Sequence, residues 1–238
     1  MNTIALFWGY LVGEEHLTKE QFASIDFGNP TIDTEFIAFD PLATSFFQGK
    51  YYIMYEKKFA FPHRNLPSMR TETMIVYDDT SIKIINPPVD LEPPVGILLC
   101  YFTGKKTHIK KAIDFLSKKI NLRFIPCDLD LEDFYQRISK TRHKVSPISM
   151  TVSDLSIDET LSGNLEIFVR NHDVFQNNLK SYKPRNQEIK LIIREVNLQL
   201  TVTVSANGVI SFDQDVTNLN MLKTIYDIVS RCVYTSSL

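Results

Sequence analysis

Residues 95–144 constrain the fold more than any other part of the chain, because strand-like and helix-like patterns alternate there at short intervals. Residues 95–102 form a continuously apolar run, which is typical of a strand covered on both faces. Residues 105–120 then predict an amphipathic helix. Its apolar stripe consists of Ile109, Ala112, Ile113, Leu116 and Ile120.

A second strand and a second helix complete this unit. Residues 122–126 predict the strand, and Asp130 is a candidate N-cap for the helix that follows. The residues that this helix is expected to bury are Leu131, Phe134, Tyr135 and Ile138. The stretch therefore predicts a β-α-β-α unit.

Strand-like segments dominate on both sides of this unit. Those before it are residues 3–12, 33–40, 50–59, 71–77 and 81–85, the last two joined by a predicted turn at Asp78, Asp79 and Thr80. Those after it are residues 148–152 and 164–169 and a three-stranded meander at residues 189–194, 198–204 and 209–212, whose second turn carries Asn207 and Gly208. Further helices are predicted at residues 17–25, 173–182 and 218–233.

The order of these elements predicts the fold class. Strands occur in runs as well as between helices, which indicates an α+β fold and not a doubly wound α/β fold. The N-terminal part is β-rich and aromatic, with fourteen of the 27 Phe, Tyr and Trp residues in the first 61 positions. The β-α-β-α unit, the antiparallel meander and a C-terminal helix follow it.

A proline cluster marks a candidate domain boundary. Residues 86–94 contain four prolines in nine positions, and proline neither donates a backbone hydrogen bond nor continues a helix. We therefore expect a β-rich N-terminal domain at residues 1–92 and an α+β C-terminal domain at residues 93–238.

Cysteine usage and the N-terminal pattern bear on the compartment. The three cysteines are odd in number and widely spaced, which favours reduced thiols over a disulfide framework or a CxxC metal site. The apolar run near the N-terminus has no preceding Lys or Arg and is too short to cross a membrane. We expect a soluble, cytoplasmic protein with no membrane partner.

Positive charge concentrates in the central unit. Residues 105–144 hold eleven Lys and Arg against five Asp and Glu, whereas the rest of the chain holds fifteen against twenty-three. If both predicted helices lie on one side of the sheet, their basic side chains can merge into a surface for DNA or RNA. The candidate residues are Lys105, Lys106, Lys110, Lys111, Lys118, Lys119, Arg137, Lys140, Arg142 and Lys144. The alternative is a solvated helix face whose cations favour the helix dipole.

The junction of the first central strand and helix resembles a phosphate-binding loop only in part. Gly104, Lys105 and Lys106 stand in the right order, but a Walker loop requires a second glycine where this chain has Leu99. A helix N-terminus with two lysines, able to hold a single phosphate, remains as one interpretation. An ordinary strand-to-helix turn is the other.

Metal-dependent nuclease chemistry has two weak candidate sets. An acidic residue ahead of Glu-x-Lys on a strand is found as Asp40 with Glu56 and Lys58. The second set is Asp173, Glu188 and Lys190. Glu-x-Lys is a common tripeptide, and neither set has further support.

Other motifs that would indicate an enzyme or a cofactor are absent from the sequence. The five histidines follow no metal-binding spacing, and neither a nucleophile elbow, a dinucleotide-binding glycine fingerprint nor an EF-hand loop occurs. We expect no cofactor and no metal. A base-stacking platform built from Phe46, Phe47, Tyr51, Tyr52 and Tyr55 is disfavoured against core packing, because this region is acidic.

Three functional hypotheses follow. The sequence favours a non-enzymatic nucleic-acid-associated protein, or a subunit of a larger complex, that uses the lysine-rich helical surface. A protein–protein scaffold or accessory subunit without nucleic acid, with a protein partner or a second copy, is the first alternative. A metal-dependent nuclease is the second.

Overall fold

A computed structural model describes most of the chain. The described residues are 3–11, 24–40, 47–61, 70–88, 91, 96–156, 162–170, 188–214 and 219–234. The helix predicted at residues 173–182 and residues 17–23 of the helix predicted at 17–25 lie outside these ranges. Residues 24 and 25, the end of the latter prediction, form a turn and a bend.

Eleven strands and three helices are found in the described ranges. The strands are β1 (Thr3–Leu11), β2 (Glu35–Phe39), β3 (Phe47–Phe61), β4 (Arg70–Ile85), β5 (Ile97–Gly104), β6 (Leu122–Pro126), β7 (Val145–Ser156), β8 (Ser162–Phe168), β9 (Glu188–Glu195), β10 (Leu200–Ser205) and β11 (Val209–Phe212). The helices are α1 (Lys106–Ile120), α2 (Leu131–Ser139) and α3 (Leu219–Val229). The α+β class, the β-α-β-α unit, the meander and the C-terminal helix are confirmed. The longest of these helices has 15 residues, and none in the described ranges is long and apolar enough to cross a membrane.

All strands belong to one antiparallel sheet, with β1 near its centre. The order is β2-β3-β4-β5-β1-β11-β10-β9-β7-β8, and β6 also pairs with β1. One edge of β1 pairs with β5 from Thr3 to Tyr10. Its other edge is shared, because Thr3–Ala5 pair with β11 and Phe7–Leu11 pair with β6. The two strands of the β-α-β unit are therefore separated by the N-terminal strand.

The helices pack against opposite faces of this sheet. Alternate residues of β1 and β5 enter two different cores, with Trp8 and Tyr101 in one and Ala5 and Phe102 in the other. The first core contains the apolar sides of α2 and α3, and the second contains that of α1. Four of the α1 residues predicted to face inward are buried, namely Ile109, Ala112, Leu116 and Ile120. The fifth, Ile113, is partly buried. The continuously apolar β5 is covered on both faces, as expected.

The predicted turn at Asp78, Asp79 and Thr80 is wrong, because β4 runs through these residues without a break. The hairpin is formed instead by β3 and β4, which pair from Phe47 with Ile84 to Phe61 with Arg70. The two aspartates are compatible with a strand because neighbouring elements supply their partners. Asp79 accepts a hydrogen bond from Lys50 at 3.1 Å, and Asp78 accepts one from the Tyr55 hydroxyl at 3.0 Å.

The meander at the other end of the sheet is confirmed. β9 pairs with β10 and β10 pairs with β11. A three-residue loop joins the last two strands, and only its Gly208 has a positive φ, of 76°. This arrangement matches a turn followed by a left-handed residue more closely than a two-residue Asn-Gly turn, in which both residues are left-handed.

The division into two domains stays a prediction. The sheet itself is continuous across the proline cluster, since β4 pairs with β5 from Thr80 with Gly104 to Ile85 with Leu99.

Candidate functional site

Helix α1 presents the strongest charge concentration of the described surface. Five of its fifteen residues are lysines and one is an acid, Asp114. The lysines are all exposed: Lys106, Lys110, Lys111, Lys118 and Lys119. Their positions follow from the buried apolar stripe, which turns the rest of the helix toward solvent.

The first turn of α1 is fixed by an aspartate on β4. Lys105 occupies the N-cap position but makes no side-chain capping bond. Its Nζ lies 3.6 Å from Oδ1 of Asp78, and His108 Nε2 lies 3.5 Å from Oδ2 of the same carboxylate. The carboxylate therefore already faces the side chain that the sequence suggested for a phosphate. Gly104 belongs to β5, so that Lys105 alone separates strand from helix.

The last turn of α1 suits its cations. Lys118 and Lys119 stand where the carbonyl end of the helix dipole favours positive charge. Asn121 ends the helix in the left-handed conformation, with φ 50°. Lys119 Nζ lies 5.7 Å from the ring centroid of Phe115, which holds this side chain against the helix surface.

The remaining predicted basic residues lie on α2 and in the segment after it. Arg137 donates to Asp133 at 2.6 Å one turn earlier, so its charge is largely neutralised within the helix. Lys140, Arg142 and Lys144 are exposed. Because α2 packs with the core that contains α3, these residues belong to the face of the sheet opposite to α1.

The ten predicted residues therefore form two separate groups. The α1 group is Lys105, Lys106, Lys110, Lys111, Lys118 and Lys119, and the α2 group is Arg137, Lys140, Arg142 and Lys144. One merged surface requires α1 and α2 on the same side of the sheet, and they lie on opposite sides.

The first candidate nuclease set is also dispersed. The Asp40 amide donates to the carbonyl of Gln48, which aligns these two residues across β2 and β3. Glu56 stands eight positions further along β3, which corresponds to about 26 Å in an extended strand. Asp173 of the second set lies outside the described residues. Within the described ranges, no three His, Cys, Asp or Glu side chains are grouped as metal ligands.

The N-terminal aromatics split between the core and a second surface. Phe47 and Tyr51 are fully buried, which confirms core packing for these two, whereas Phe46 lies outside the described residues. Tyr52, on the opposite face of β3, stacks on Phe36 with ring centroids 5.1 Å apart. It lines a cavity that the sequence did not predict.

That cavity has a volume of about 730 Å³ and lies between β2–β5 and α3. The local signal for it was present on two strands. Lys50 and Tyr52 on β3, and Ser81 and Lys83 on β4, alternate with buried residues and therefore share one face. No local sequence pattern predicts that α3, more than 130 residues later in the chain, packs over that face.

Comparisons with protein-family models, with curated proteins and with solved structures find no significant match to this chain.

Proposed function

We propose that this chain is a non-enzymatic binding protein whose α1 lysine face contacts the phosphate backbone of DNA or RNA, as one subunit of a larger complex. The observation that carries the proposal is the exposure of all five α1 lysines, with a single acid among them, on a helix whose other side is buried. Ammonium groups carried on one exposed helix surface can replace counterions along a polyanion.

Lysine also indicates the mode of binding. An ammonium group is a point charge on a flexible stem, whereas bidentate reading of guanine is mainly a property of arginine. The α1 face contains only lysine as its cation. We therefore expect affinity that depends strongly on salt and weakly on base sequence.

The test is fluorescence anisotropy with labelled duplex DNA, single-stranded DNA and RNA at increasing salt. Charge reversal at Lys106, Lys110 and Lys111 should abolish binding. Reversal of a single lysine should lower the slope of log affinity against log salt by about one, because the protein then neutralises one phosphate fewer.

The matched control reverses Lys140, Arg142 and Lys144, which changes the net charge equally on the opposite face of the sheet. This variant should keep the affinity of the wild-type protein. Equal losses in both variants would indicate a general net-charge effect and would contradict a specific α1 interface.

A second candidate function, a protein–protein scaffold or accessory subunit, is supported by the far end of the β3–β4 hairpin. β2 pairs with β3 only up to Ile53, and β5 pairs with β4 only from Thr80. Beyond these residues the two strands of the hairpin pair only with each other among the described strands. Met74, Ile75 and Tyr77 are about half exposed there. Two-stranded ribbons are marginal in water, and exposed apolar clusters often mark interfaces.

Mass measurement by light scattering tests this second function. A hairpin that joins two copies predicts a defined oligomer, which Ile75→Asp should convert into monomers. A wild-type protein that purifies as a monomer without a partner would remove this candidate.

We also propose a reducing, cytoplasmic location. Cys100, Cys127 and Cys232 are free and buried, which suits an environment where thiols stay reduced.

A further inference from the structure

The cavity beneath α3 has the composition of a ligand site. Its floor combines apolar side chains with polar ones from three adjacent strands, among them Tyr52, Lys83 and Thr103. α3 contributes a wall with Lys223 and Tyr226. A volume of about 730 Å³ lies within the range of pockets that hold small-molecule ligands.

Two of its three lysines have no ion-pair partner among the residues that the structure describes. Lys50 Nζ is 3.1 Å from the carboxylate of Asp79, so this cation has a partner. Lys83 and Lys223 form no ion pair with any residue of the described ranges. Lys83 is half-buried, and an ammonium group in such a position favours an anion from outside the chain.

Tyr226 holds the cationic end of the cavity in a fixed arrangement. Its hydroxyl group and the hydroxyl of Thr103 on β5 form a hydrogen bond. Its ring packs edge-on against Tyr101, with centroids 5.1 Å apart. Lys83 Nζ lies 5.6 Å from the centroid of the same ring. These contacts preorganise the ammonium group, and no carboxylate of the described residues pairs with it.

The other end of the floor is aromatic. Tyr52 pairs with Asp79 across the β3–β4 ladder, and Gln48 pairs with Lys83. Tyr52 and Lys83 are therefore four positions apart along the strands, or about 13 Å. This span suits a nucleoside diphosphate, in which the ring system and the terminal phosphate lie at opposite ends.

We propose that this cavity binds a nucleotide, with its phosphates at Lys83 and Lys223 and its base against the ring of Tyr52. Asp40 and Asp227 also line the cavity and are acceptors for the sugar hydroxyls and the amino groups that a nucleotide carries. Base–aromatic stacking and phosphate–ammonium contacts are the two interactions that nucleotide sites without sequence preference combine.

This site is independent of the proposed α1 interface, because the two lie on opposite faces of the sheet. The nucleotide can be a free nucleoside phosphate or one unit of a single strand. Both sources supply the same base and phosphate chemistry, and competition separates them.

The experiment is a titration of the full chain with fluorescently labelled ADP, followed by anisotropy. Unlabelled ADP and a short oligothymidine strand serve as competitors. We expect saturable binding, and the better competitor identifies the source. Absence of saturable binding up to millimolar protein would overturn the proposal.

Variants locate the site. Lys223→Glu and Lys83→Gln should each weaken binding about tenfold, and Tyr52→Ala should weaken it to a similar extent. Lys118→Glu on α1 is the charge-matched control and should leave the affinity for labelled ADP unchanged.

Lys223 is exposed, so its reversal should not disturb folding, and circular dichroism checks each variant. Binding that persists unchanged in Lys223→Glu and Tyr52→Ala would exclude this cavity. Loss of ADP binding in Lys118→Glu as well would contradict a site separate from α1.

Discussion

His143 Nδ1 lies 3.9 Å from Oε1 of Glu195, and the glutamate is buried while the histidine is partly buried. Glu195 ends β9, and its other carboxylate oxygen accepts a hydrogen bond from the backbone amide of Leu198 in the turn to β10. The amide of Val196 donates to the carbonyl of Lys144 at 2.8 Å. This glutamate therefore ties the β9–β10 turn to the segment after α2.

The first prediction concerns this glutamate. Glu195→Ala should lower the free energy of unfolding by about 1–3 kcal/mol, since the partly buried Leu198 amide loses its acceptor. Glu195→Gln keeps an acceptor oxygen and should cost less. Urea denaturation followed by circular dichroism measures both, and equal losses would contradict a role for the hydrogen bond.

The second prediction concerns the N-cap of α2. Oδ1 of Asp130 accepts a hydrogen bond from the Asp133 amide at 2.9 Å, and Oδ2 accepts one from the Tyr234 hydroxyl at 2.7 Å. Asp130→Ala should therefore destabilise the protein by about 1 kcal/mol or more. Asp130→Asn retains a capping oxygen and is the control. A thermal melt that is unchanged in the alanine variant would contradict the capping role.

The third prediction concerns the turn between β10 and β11. Gly208 has φ 76°, and a Cβ atom there would stand 2.7 Å from the carbonyl oxygen of Cys127. Gly208→Ala combines backbone strain with a clash against backbone, and we expect a loss of about 1–3 kcal/mol. Asn207, exposed and with ordinary φ, supplies the control variant Asn207→Ala. Comparable unfolding midpoints for the two variants would be the contrary result.

The fourth prediction concerns the three thiols. Burial raises the pKa of Cys100, Cys127 and Cys232 above the usual value of 9. A pKa that is higher in the folded state than in the unfolded state stabilises the fold below about pH 9, and this contribution decreases as the pH rises further. The urea concentration at the midpoint of unfolding should therefore decrease when the pH is raised from about 9 to about 10.

Thiol reactivity gives an independent check of the same burial. Ellman's reagent should react slowly with the native protein, because buried thiols rarely form the reactive thiolate. In urea it should react with all three cysteines. A fast-reacting thiol in the native state would show that one of the three is accessible.

Local patterns were sufficient for the three helices that the structure describes and for most of the described strands. The spacing of Ile109, Ala112 and Leu116 predicts both the position of α1 and the side that it buries. β6 was predicted with its observed limits, Leu122–Pro126. In these segments the apolar period and the flanking residues indicate the same structure.

The error at Asp78 and Asp79 has a physical cause. Adjacent aspartates favour turns when nothing else neutralises them. Here Lys50 on β3 contacts Asp79, and Lys105 and His108 at the start of α1 contact Asp78. These partners come from other elements, so the sequence around β4 holds no sign of them.

The candidate sites show the same limit. Lys105 and the five α1 lysines are close in sequence and remain close on the surface. The nucleotide cavity, by contrast, requires Thr103 of β5 to meet Tyr226 of α3, a separation of 123 residues. Whether α1 and α2 share a face depends likewise on the placement of β1 between β5 and β6, which no local pattern encodes.

The position of β1 also sets the order in which the protein can assemble during synthesis. Thr3 and its partner Ser211 are separated by about two hundred residues, so Ser211 is synthesised on the order of ten to forty seconds after Thr3 at usual elongation rates. Until then β1 can pair with β5 and β6, but Thr3–Ala5 lack their β11 partners on one edge. During this interval the nascent chain carries an incomplete sheet centre, and β11 closes it when it pairs with β1.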